Sequence, residues 1–65
     1  MAIKHSIAGF ADTPQQKNFR FNFKVSNMQQ AKAFLNRAAA KHWHIRAAWH
    51  CTHEHGIRLN SVRLM

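Results

Sequence analysis

Residues 18–25 read Asn18-Phe19-Arg20-Phe21-Asn22-Phe23-Lys24-Val25. Three rings and a valine alternate strictly with amides and cations. Side chains along a strand point to opposite faces in turn, so this stretch predicts a half-buried strand. One face is aromatic and the other carries Asn18, Arg20, Asn22 and Lys24. An isolated hairpin is marginal in water, and an apolar sheet face has to be covered. The strand therefore calls for paired neighbours and for an element laid over its rings.

The cover follows directly. Ser26 and Gln29 have the spacing of a capping box, in which each side chain satisfies the other's free backbone N–H. Met28, Ala31, Leu35, Ala38 and His42 then recur at spacings of 3,4,3,4, flanked by Phe34. Gln29, Gln30, Asn36 and Arg37 fall on the opposite side. The pattern predicts an amphipathic helix from Ser26 to His42 with a narrow, alanine-rich buried stripe. Lys41 and His42 suit the negative end of its dipole.

The segment after His42 has two readings. As a strand, it gathers Trp43, Ile45, Ala47, Trp49 and Cys51 on one face and His44, Arg46, Ala48 and His50 on the other. As more helix, Ile45 and Trp49 continue the earlier spacing, and Ala47 and Ala48 favour that conformation. The strand is preferred because it brings both tryptophans and the isoleucine to one side, whereas the helix throws Trp43 toward solvent. His53-Glu54-His55-Gly56 reads as a turn, with Gly56 free to take positive φ. Ile57 to Leu64 reads as a last strand whose apolar phase slips near Asn60-Ser61, the mark of a bulge.

Upstream, Met1 to Phe10 reads as a strand with Ile3 and Ile7 on one side and Lys4 and Ser6 on the other. His5 falls on the apolar side. Ala11 to Lys17 has turn chemistry, with Asp12 and Thr13 before Pro14. The expectation is a single α+β domain over residues 1–65, one helix on a four-stranded mixed sheet in the order ββαββ. The two strands flanking the helix run parallel in this scheme, joined by a right-handed crossover. The alternative is ββαβ with one long helix over residues 27–51.

Composition bounds the function. Ten Lys+Arg stand against two Asp+Glu, giving +8, and six histidines add to this as pH falls. An apolar fraction of 46% with five Phe and two Trp argues for a folded chain despite the charge. At this length the core alone supplies about 3–5 kcal/mol, so a homodimer or a bound partner would add stability. A large cofactor-binding α/β fold does not fit, and no cofactor is expected. No apolar run approaches the ~20 residues that span a bilayer, so no membrane role is expected. The first residues lack the series of features of a secretory signal, and lone Cys51 excludes an internal disulfide. A cytoplasmic location is expected.

The candidate binding surface is the sheet face away from the helix. The strand readings place Arg20, Asn22, Lys24, His44, Arg46, His50, Arg58 and Asn60 there. Arginine forks pair with phosphate, and asparagine bonds phosphate or base edges. The rings all fall on the apolar side or at strand ends in this reading, which leaves no stacking platform and favours duplex DNA or RNA bound through its backbone. The expected function is thus a small nucleic-acid-binding accessory or regulatory protein that acts by stoichiometric binding. The alternative is an inhibitor or modulator that docks on an acidic protein surface of a larger host enzyme. Short, basic, cofactor-free chains of either kind are common among mobile-element regulators.

Other chemistries have weaker support. His42, His44, His50, His53 and His55 cluster with Cys51 and Glu54, which are zinc-ligand types. Their spacing matches no established metal site, so no metal is expected. A histidine beside Arg46 would suit a metal-independent ribonuclease, but no spacing demands it and no catalytic residue is assigned. Cys51 reads as a small buried hydrophobe. Phe19, Phe21, Phe23, Trp43 and Trp49 offer more ring area than a thin helix covers, so part of that face is a candidate protein interface.

Overall fold

Four strands and one helix follow one another as β1 (Lys4–Asp12), β2 (Phe19–Val25), α1 (Met28–Ala40), β3 (His44–Glu54) and β4 (Ile57–Arg63). The computed structural model describes residues 3–65, so Met1 and Ala2 of the expected first strand lie outside the described residues. One helix packs on a four-stranded sheet, an α+β domain in the expected order ββαββ. The sheet order is β2-β1-β3-β4, and every neighbouring pair is antiparallel. β2 and β3 do run in the same direction on either side of the helix. Because β1 lies between them, the sheet is antiparallel and not mixed.

The helix boundaries are set by local bonds. Asn27, not Ser26, is the N-cap, and its Oδ1 accepts from the Gln30 N–H at 2.9 Å. Gln30 reaches back to accept from the Ser26 N–H at 2.9 Å. The cap and its glutamine are therefore each one residue later than expected, while the backbone N–H that the glutamine satisfies is still that of Ser26. At the other end the His42 N–H donates to Ala39 and the Trp43 N–H to Ala38, both at 3.0 Å. These two bonds make a Schellman motif, and they put His42 at φ 66, in the left-handed region. The chain leaves the helix there, which disposes of a single helix over 27–51. His42 belongs to this cap and not to a buried helical stripe.

The sheet side under the helix carries Ile7, Gly9 and Ala11 of β1 opposite Phe23, Phe21 and Phe19 of β2. Ile7, Ala11, Phe21, Ala31 and Ala48 form the buried centre, with Phe34, Leu35, Trp43 and Ile45 packed around it. Gly9 is required by close approach. A β-carbon there would press on the Ala47 carbonyl oxygen and on the ring of Phe21. Gly9 and its partner Ala48 are small because the Phe21 ring occupies the space above them.

A bulge in β3 decides what faces solvent. Phe10 pairs with Ala47, but Ala11 pairs with Ile45, so Arg46 is an extra residue. Such an insertion flips the alternation downstream of it. Trp43 and Ile45 lie under the helix as expected. Beyond the bulge the helix side takes Ala48, His50 and Thr52, and Ala47, Trp49 and Cys51 turn to the open side. A second irregularity, opposite Thr52/His53, makes Leu59 the extra residue of β4, one position before the expected slip. His55 (φ 52) and Gly56 (φ 78) form the two-residue β3–β4 turn, both left-handed as a type I′ turn needs.

The helix is short for its sheet. Thirteen residues span about 20 Å, while the eleven residues of β3 span about 36 Å. Among the described elements, α1 packs on β3, β1 and β2 and leaves β4 uncovered. All seven residues of β4 are exposed.

Candidate nucleic-acid interface

The open face is built by the outward positions of all four strands. β1 contributes Lys4, Ser6, Ala8, Phe10 and Asp12. β2 contributes Arg20, Asn22 and Lys24, which pair across from Phe10, Ala8 and Ser6. β3 contributes His44, which pairs with Asp12, and then the bulged Arg46. It continues with Ala47, Trp49, Cys51 and His53. From β4 come Arg58, opposite His53, and Ser61 and Arg63, opposite Cys51 and Trp49.

Six of the eight expected residues are therefore brought together: Arg20, Asn22, Lys24, His44, Arg46 and Arg58. Two are not. His50 pairs with Ile7 on the helix side and is buried, because the bulge shifts its phase. Asn60 pairs with Thr52 on that same side, because Leu59 is inserted before it.

The bulge also brings what alternation alone misses. Trp49 stands on the open face with Phe10 beside it, ring centroids 6.4 Å apart. The Arg63 guanidinium carbon lies 5.4 Å from the Trp49 ring centroid. The expectation that no ring is left for stacking is thus overturned. Phe10 was legible, since it shares the parity of Lys4 and Ser6. Trp49 was not, because neither glycine nor proline marks the bulge at Arg46. A shallow depression of about 290 Å³ adjoins Trp49, with buried Ser6 and Cys51 beneath and Asn22, His53 and Arg58 around it. Cys51 is buried there, its Sγ 3.8 Å from the Ser61 hydroxyl.

The electrostatics of this face are almost wholly positive. Its one carboxylate is Asp12, whose Oδ2 accepts from Arg46 Nε at 3.0 Å. Asp12 Oδ1 accepts from the Asn18 N–H at 3.0 Å. That backbone bond, with the Arg46 charge behind it, holds the carboxyl below its usual range against some opposing desolvation. Asp12 therefore stays ionised and screens one of the cations.

The histidines are spread across both sides of the sheet. His44 and His53 are on the open face, and His55 is in the exposed turn. On the helix side, His5 Nδ1 and His50 Nε2 lie 2.9 Å apart with their rings stacked. One ring N–H donates to the other ring's lone pair, so the pair holds together only while at least one ring is neutral. Among the described residues no three His, Cys, Asp or Glu side chains converge as metal ligands. No helix among them is long and apolar enough to cross a membrane.

Comparison with protein-family models, curated proteins and solved structures finds no match for this chain.

Proposed function

We propose that this protein binds single-stranded nucleic acid on the open sheet face, stoichiometrically and without a cofactor. The observation that carries the reading is Trp49 beside Phe10 on the two central strands, ringed by Arg20, Arg46, Arg58 and Arg63. Bases stack on the two rings, each contributing about 1–3 kcal/mol whatever its sequence. Arg20, Arg58, Arg63 and Lys24 take the phosphates, releasing counterions as they do so, while Arg46 stays paired with Asp12. Asn22 and His53 offer bonds to base edges or to the backbone. A cytoplasmic location accords with such a partner.

Shape favours a single strand over a duplex. Four strands at about 4.8 Å spacing make a surface roughly 14 Å across before side chains are added. The major groove of B-DNA is about 12 Å wide and admits a helix or a two-stranded ribbon, so this face does not enter it. A single strand lays its bases down on a flat sheet without that restriction.

The test is an anisotropy titration of labelled single-stranded and duplex oligonucleotides of mixed sequence at about 50 and about 200 mM salt. The expected result is tighter binding of the single strands, weakening steeply with salt. No binding of any oligonucleotide at the lower salt would overturn the reading.

A further inference from the structure

A second site lies on the other side of the sheet, at the edge formed by β2. Between that strand and α1 runs a groove of about 520 Å³ whose walls include the rings of Phe19, Phe23, Phe34 and Trp43. The helix does not close it: Phe23 remains 42% exposed. The rings meet at angles, Trp43 standing edge-on to Phe19 and to Phe34. They form a cleft for side chains, not a flat platform for bases.

The charge around the cleft has one sign. Arg37 and Lys41, one helical turn apart, line it together with Lys24 of the edge strand. No carboxylate lines it. The two acids are elsewhere, Asp12 with Arg46 on the open face and Glu54 beside His55 at the far end of β3. Like charges one turn apart repel each other slightly, and no carboxylate among the described residues pairs with either. The edge itself is open, since β2 pairs with β1 on one side only.

From these features we infer that the β2 edge and its cleft dock an extended segment of a partner protein that alternates apolar and acidic residues. A strand added to β2 would send every second side chain over the cleft and the others toward the open face. The first set meets the rings and the second meets Arg20 and Lys24. An apolar–acidic alternation satisfies both at once. A second copy of this chain does not, because its own strand of this kind alternates rings with cations and sets like charges together.

The Trp49→Phe protein leaves Trp43 as the sole tryptophan, inside the cleft. The probe is a short synthetic peptide of alternating glutamate and leucine. Controls replace its glutamates by lysine, or its leucines by serine, and a single-stranded oligonucleotide forms a further arm. The expected result is a saturable change in Trp43 emission with the glutamate–leucine peptide alone. Phe23→Ala should weaken that binding roughly tenfold or more. Lys24→Glu, a change at an exposed position of β2 that the peptide's acids meet, should weaken it too. An unresponsive Trp43, an equal response to the lysine peptide, or a response only to the oligonucleotide would overturn the assignment.

Discussion

The guanidinium of Arg63 lies 5.4 Å from the ring centroid of Trp49, on the sheet face that the helix leaves open. At an exposed site such a pair contributes only about 0.5–1 kcal/mol, so Arg63 is easily given up to a phosphate or shared with an arriving base. Trp49→Leu keeps the apolar cover and removes the stacking surface. It should weaken single-strand binding by about 5- to 150-fold, the loss of ~1–3 kcal/mol of stacking. The slope of log affinity against log salt should stay the same, because no cation is lost. Arg58→Gln should do the converse, lowering that slope by roughly 0.7.

Asp12 holds Arg46 away from any anionic ligand. Asp12→Asn keeps an oxygen for the Asn18 N–H and frees the guanidinium. The variant should bind single strands more tightly at low salt, with a slope larger by up to about 0.7. Since the Asn18 bond and Arg46 both keep the Asp12 carboxyl below its usual range, acidification within the neutral region will not mimic this variant. Parallel anisotropy titrations of the two proteins are the check.

His50 should make the fold sensitive to mild acid. Burial, and then the charge of neighbouring His5, hold its imidazole below the ordinary histidine value of 6.5. Between those two values the unfolded chain binds the proton and the fold does not. Stability is therefore complete above 6.5, falls as pH drops below it, and levels out under the folded value. A second proton also sets two N–H groups against each other across the 2.9 Å His5–His50 contact. Urea midpoints at about pH 7.5 and about pH 5 should show the fall, and His50→Gln should reduce it.

His42 sits where a helix usually ends on glycine. Its φ of 66 places a β-carbon in the strained left-handed region, at roughly 1–2 kcal/mol. His42→Gly keeps the two Schellman bonds and relieves that strain. It should stabilise the domain by up to about 1 kcal/mol, raising the melting temperature by about 4–8 °C. A loss of stability would mean that the His42 ring makes contributions beyond the cap.

The strands and the helix were legible because their periods differ so plainly. The alternation from Phe19 to Val25 and the 3,4 spacing from Met28 to Ala38 leave little choice. Asn27 is as good a cap residue as Ser26 and has its own glutamine three residues on, so capping chemistry does not separate the two positions. Six of the eight expected surface residues lie before or beside the points where alternation fails. His50, Asn60 and Trp49 lie beyond them. Alternation carries no memory of an inserted residue, and Ala47 and Ala48 are small enough to sit on either face. What selects the bulged register is long-range: Ala48 and Gly9 must together leave room for the Phe21 ring. The placing of β1 between β2 and β3 is long-range in the same way, since either neighbour satisfies the Phe strand locally.

The most direct measurement uses the Trp43→Phe protein, in which Trp49 is the only tryptophan. A single-stranded oligonucleotide should quench its emission over the same concentrations that raise the oligonucleotide's anisotropy, and salt should shift both curves together. A rise in anisotropy with Trp49 emission unchanged would place the nucleic acid elsewhere on the protein and contradict binding on the open sheet face.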